Sequence, residues 1–255
     1  MTDDVAVFAH DLTKRFGKFT AVDSISLEVR RGEIFGFLGA NGAGKTTAIR
    51  MFCGLLPPSS GQGRVAGYDI SSQARSIKRT IGYMSQKFSL YEDLTVMENI
   101  EFYGGVYGLN RAQIQSKIAS LLGELDLGSQ RNELAALLPP GWKQRLALSV
   151  ALMHEPSILF LDEPTAGVDP LSRRNFWRLI YEIAASGTTI FVTTHYMDEA
   201  EYCGRLSIMD QGRIIEIGTP GELKRKYQRS GMQDIFVHLV GRGLEAERRI
   251  SGEAS

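Results

Sequence analysis

The segment Gly39-Ala40-Asn41-Gly42-Ala43-Gly44-Lys45-Thr46 constrains this chain more than any other stretch. It matches G-x-x-x-x-G-K-[ST] and lies between a short apolar run at 34–38 and a helical stretch at 46–53, the strand–loop–helix context that the pattern requires. The glycines let backbone N–H groups turn inward, so that phosphate oxygens meet donors rather than side chains. The helix start adds its partial positive charge. Lys45 then reaches the β- and γ-phosphates, and the Thr46 hydroxyl ligates Mg²⁺.

A strand that feeds a helix through such a loop belongs to an α/β fold. Strand-like and helix-like segments do alternate along the chain, which predicts a mostly parallel sheet. Early strands are expected at 5–9 and 25–29, and buried ones at 34–38, 158–161 and 188–193. Strands at 206–209 and 213–217 flank the hairpin turn Asp210-Gln211-Gly212. From about 88 to 153 the pattern is helical instead. Thr95 and Glu98 form a capping box for a helix over 96–107, and Ile114, Ile118, Leu121, Leu122 and Leu125 follow at helical spacing. Residues 224–255 carry many charges and are expected to form a short accessory element with a frayed end.

Composition narrows the function classes. With 255 residues and 43% apolar content, the chain is one large domain with room for an insertion. Its 29 basic and 29 acidic side chains balance, which argues against a dedicated nucleic-acid binder. Cys53 and Cys203 lack disulfide-framework or zinc spacing and read as buried thiols. No apolar run reaches membrane-spanning length, and the first residues do not resemble a signal peptide, so a cytosolic chain is expected.

Residues 157–163 read as a buried strand that ends in two acids, Asp162 and Glu163. A strand parallel to the one feeding the phosphate loop would bring Asp162 beside Mg²⁺, through a bound water, and place Glu163 where it can polarise the water attacking the γ-phosphate. Alone, the pair also reads as a helix N-cap acid and a surface acid. With the loop, it points to ATP hydrolysis rather than transfer to an acceptor.

The order of motifs resembles the nucleotide-binding subunit of ABC transporters from Val5 to about Lys226. The resemblance implies a P-loop NTPase core with N-terminal antiparallel β elements, an α-helical subdomain inserted over about 88–153, and a tail at 227–255. It implies ATP and Mg²⁺ as ligands, with Gly39, Ala40, Asn41, Gly42, Ala43, Gly44, Lys45, Thr46 and Thr47 on the nucleotide. Phe16 stands where the family stacks an aromatic ring on adenine. Gln86 matches the glutamine linking the metal site to the helical subdomain, Asp169 the aspartate crossing the dimer interface, and His195 the histidine at the γ-phosphate. Taken singly, Phe16 also reads as a core aromatic, Gln86 as a loop residue and Asp169 as a helix N-cap.

One motif departs from the family. Its Leu-Ser-Gly-Gly-Gln signature is here Leu138-Pro139-Pro140-Gly141-Trp142. In the family this segment faces the partner subunit's ATP. Pro139 has no hydroxyl and neither proline has an N–H, which leaves Gly141 and the following helix start. The resemblance extends to ATPase subunits of ABC-2-type drug exporters, carried by Asp162–Leu171 (DEPTAGVDPL) and Thr193–Cys203 (TTHYMDEAEYC). It implies a separate membrane permease, a second ATPase subunit and a place on the cytoplasmic face of the membrane. An importer subunit and a soluble ABC ATPase of the cluster-assembly kind are the alternatives.

Overall fold

The computed structural model describes residues 4–251, with the side chains of 242–251 excepted. In chain order the elements are β1 (Val5–Phe16), β2 (Phe19–Arg30), β3 (Ile34–Gly39), α1 (Lys45–Phe52), β4 (Ser60–Val65), β5 (Tyr68–Asp69), α2 (Ala74–Thr80) and β6 (Ile81–Met84). The helical segment follows as α3 (Val96–Val106), α4 (Arg111–Glu124) and α5 (Pro140–Leu152). The chain then returns to β7 (Ile158–Asp162), α6 (Pro170–Ala185), β8 (Thr189–Thr194), α7 (Met197–Ala200), β9 (Arg205–Asp210), β10 (Arg213–Gly218), α8 (Pro220–Tyr227) and α9 (Met232–Ser251).

Two sheets organise the chain. A six-stranded sheet runs β10-β9-β3-β8-β7-β6, parallel throughout except for β10 at its edge. Every residue of β3, β7 and β8 is buried, which is why their sequences show no alternation of apolar and charged positions. A four-stranded antiparallel sheet runs β2-β1-β4-β5. Its two long strands exceed the expected 5–9 and 25–29. Irregular register, with Asp11 and Ser24 at φ 50° and 49°, breaks the alternation while pairing continues to Phe16 and Phe19.

The core has two parts. In one, the Phe191 ring packs 5.4–5.6 Å from Phe35, Phe37, Phe52 and Phe160, joining the six-stranded sheet to α1 and the smaller sheet. In the other, α3, α4, α5 and α6 cover the sheet through Ile100, Leu121, Leu146, Phe176 and Trp177. The helix starts are chemically fixed. Capping boxes close α3 at Thr95/Glu98 and α4 at Asn110/Gln113. The stretch expected to be a short accessory element is α8 and α9, and Met232 and Ile235 at the start of α9 are buried in the second cluster. The frayed end expected beyond it lies outside the described residues. Among the described residues no helix is long and apolar enough to cross a membrane.

Candidate active site

Four neighbouring parallel strands end at one edge of the large sheet, so their carboxyl ends deliver side chains to a common place. β3 leads into the glycine loop and Lys45, β8 into His195, β7 into Asp162 and Glu163, and β6 into Gln86. The loop needs its glycines. Gly44 has φ 104°, and a Cβ there would lie 2.4 Å from Ala21 O.

Lys45 is buried, with Nζ donating to Gly39 O at 2.8 Å and Ala40 O at 3.0 Å and pairing with Glu163 Oε1 at 3.1 Å. A phosphate entering the loop therefore competes with Glu163 for the same ammonium. The other carboxylate oxygen of Glu163 accepts from Gln86 Nε2 at 3.1 Å and lies 3.0 Å from His195 Nδ1. Lys45, Gln86 and His195, predicted from separate parts of the sequence, thus converge on one carboxylate. Glu163 holds a left-handed backbone, φ 49°, a conformation that few non-glycine residues adopt.

Asp162 lies beneath. Its Oδ1 accepts from the hydroxyls of Thr46 at 3.1 Å and Thr193 at 2.8 Å, while its buried Oδ2 has no hydrogen-bond partner. Burial raises the Asp162 pKa above the usual aspartate range, and the two threonines pull the other way. An orphaned carboxylate oxygen beside the loop threonine suits a hard cation that takes oxygen ligands, so the residues fit Mg²⁺. Among the described residues no group of three or more His, Cys, Asp or Glu side chains could hold a metal.

Sequence reasoning missed Thr193. β8 lies between β3 and β7, so its terminal threonine sits between loop and acids. Its hydroxyl donates to Asp162 and accepts from the Glu163 N–H at 2.9 Å, fixing both carboxylates. The signal was there, as a hydroxyl at the end of a buried apolar run. Also unforeseen is Glu199, a buried acid whose pKa burial raises, bonded to Thr165 and, at 2.6 Å, to Thr194.

Three predicted residues, Phe16, Asp169 and Gly141, stand apart from this cluster. Phe16 is half exposed beneath the Lys14 ammonium and does not line the cavity around Lys45 and Glu163. Its cross-strand neighbour Phe19 does, together with Asn41, Gly42, Thr46, Thr47 and Gln86. Asp169 caps α6, its carboxylate accepting from the N–H groups of Leu171 and Ser172 at 3.0 Å each. Gly141 is in the first turn of α5, near Asp169 across a separate cavity. Cys53 and Cys203 are buried free thiols whose pKa values burial raises.

Comparison with known proteins supplies the context for this geometry. A family model described as ABC transporter matches residues 22–166, a span that includes the loop, Gln86, Gly141, Asp162 and Glu163. The "Probable multidrug ABC transporter ATP-binding protein YbhF" of Escherichia coli is 48% identical over 93% of this chain, which spans 42% of that relative's length. The "Linearmycin resistance ATP-binding protein LnrL" of Bacillus subtilis is 40% identical over 84% of this chain and 70% of its own length. The "Daunorubicin/doxorubicin resistance ATP-binding protein DrrA" of Streptomyces peucetius is 37% identical over 97% of the chain and 75% of its own length. Among solved structures, one described as an ATP binding subunit of an ABC transporter superposes with a TM-score of 0.82, at 28% identity over 92% of this chain and 99% of its own.

Proposed function

The chain belongs to the ABC transporter ATP-binding family, and from that membership and the site geometry we propose that it hydrolyses ATP to power an exporter of drugs or other hydrophobic compounds through separate membrane subunits. The convergence of Lys45, Gln86 and His195 on the Glu163 carboxylate carries this reading. Lys45 and the loop N–H groups bind the β- and γ-phosphates. Glu163 accepts a proton from the attacking water, and His195, within hydrogen-bond reach of that carboxylate, orients the water and the γ-phosphate. Thr46 and Asp162, with Gln86, would hold Mg²⁺, which when bound neutralises the charge developing on the phosphates. Phe16, with Phe19 beside it, offers an aromatic face to the base.

Two such subunits would pair with each nucleotide between one phosphate loop and the opposing Gly141 segment, with Asp169 crossing the interface. ATP would close the pair and hydrolysis would open it, moving a permease on the cytoplasmic face of the membrane. Names of the relatives, which describe multidrug, linearmycin and daunorubicin/doxorubicin resistance proteins, support efflux as the direction.

Glu163→Gln is expected to retain ATP binding while turnover falls by roughly 10²–10⁴-fold, and Lys45→Ala to lose both. Binding of a fluorescent ATP analogue and phosphate release would be measured on each variant. Full hydrolysis by the Glu163→Gln protein would overturn the assignment. Gentle detergent extraction of a tagged chain, followed by mass spectrometry, tests the partner. A stoichiometric polytopic membrane protein is expected, and stable absence of one counts against the transporter role.

A further inference from the structure

The start of α5 is poor in donors. Pro139 and Pro140 have no N–H, and those of Trp142 and Lys143 already donate to Pro139 O at 2.9 and 3.1 Å. Gly141 carries the remaining N–H of that turn. Directly across from it stands Ser172 of α6: a Cβ built on Gly141 would lie 3.1 Å from Ser172 Oγ. The Ser172 N–H donates to Asp169 at 3.0 Å, and its hydroxyl lies against the same carboxylate, helping to hold the Asp169 pKa below the usual range. Pro139, Gly141, Trp142, Arg145, Asp169 and Ser172 line one surface cavity of about 370 Å³.

Resting on the paired-subunit reading above, we infer that Ser172 supplies the hydroxyl donor that the Pro139 segment lacks. In the closed pair the Ser172 O–H turns from Asp169 to a terminal oxygen of the nucleotide bound by the opposing subunit, beside the Gly141 N–H. Asp169 keeps its two backbone donors, so the capped start of α6 is undisturbed. The hydroxyl then comes from the first turn of α6 rather than from the N-cap position of α5.

The test uses Glu163→Gln as parent, because slow turnover preserves ATP, and reads ATP-dependent dimerisation by sedimentation velocity with ADP as control. Adding Ser172→Ala should raise the ATP concentration for half-maximal dimerisation by about tenfold or more, the size of a lost hydrogen bond to a charged group. Ser172→Thr, which keeps a hydroxyl, should stay near the parent. Pro139→Ser placed on Ser172→Ala should restore dimerisation, and serine suits this N-cap position. An unchanged Ser172→Ala protein overturns the inference and leaves the ATPase assignment intact. Loss that Pro139→Ser does not rescue also overturns it, since Ser172 then acts only by supporting Asp169. A parent that binds ATP but never dimerises overturns both this inference and the paired-subunit reading.

Discussion

At the scale of single residues the site contains one buried acid, Asp162, whose ionisation is coupled to folding. Asp162 is 1% exposed, with burial raising its pKa, so in the acid range the native state holds a proton on this residue that the unfolded chain has released. Stability supplied by Asp162 therefore falls as pH rises from the ordinary aspartate range through the raised native value. Carboxylates such as Asp69, with lowered pKa values, act in the opposite sense. Comparing wild type with Asp162→Asn cancels them: the stability of the variant relative to wild type should increase with pH across this window and then level off. Urea midpoints from pH 4 to 8 measure this, and a difference that shrinks with rising pH would show Asp162 to be a net stabiliser when ionised. The residues that converge on Glu163 were legible because they sit in ordered motifs. Thr193 was not, since a threonine in a β-branched run reads as strand former until the strand order puts it between loop and acids. Phe19 escaped for a similar reason. Only cross-strand pairing with Phe16 brings it to the cavity rim.

At the scale of elements, legibility followed periodicity. Strands β3, β7 and β8 and helices α1 and α3 fall within a residue or so of where apolar runs and caps place them. β4 (SGQGRV) has no apolar alternation, and its pairing with β1 supplies what its sequence does not. Within α3 two adjacent glycines separate intrinsic helix preference from packing. A Cβ at Gly105 meets nothing within 4 Å, whereas one at Gly104 would lie 2.8 Å from Ile114 Cγ1 and 2.9 Å from Met153 Cε. Gly105→Ala should therefore stabilise the chain by about 0.5–1 kcal/mol. Gly104→Ala gains the same propensity but overpacks the α3–α4–α5 junction, where insertion costs about 1–3 kcal/mol, so a net loss on the order of 1 kcal/mol is expected. Chemical denaturation of both variants decides between these effects. Equal stabilisation by both would mean that Met153 and Ile114 yield freely and that the junction is loosely packed.

At the scale of the molecule the six-stranded sheet is shared by two cores, so its site-bearing edge depends on packing at both faces. α9 belongs to this argument although its sequence reads as a charged tail. Its composition averages a first half that carries the buried Met232 and Ile235 with a later stretch rich in Glu and Arg, and the apolar spacing Met232, Ile235, Phe236, Leu239 marks the face that packs on the core. Ile235 is fully buried, and Met232 lines a cavity with His195, Tyr196 and Met197. The start of α9 thus backs the short α7 turn that follows the site histidine. Ile235→Ala should cost about 2–4 kcal/mol of global stability, because the cavity it leaves is enclosed by the main core. In the same assays, His195→Ala should lower kcat by about a hundredfold with little change in denaturation midpoint, since His195 is partly exposed and its known partner is Glu163. The pair of variants separates support from chemistry. If Ile235→Ala left the midpoint untouched, α9 would be an appendage after all, and the carboxyl edge of the sheet beside His195 would stand without its support.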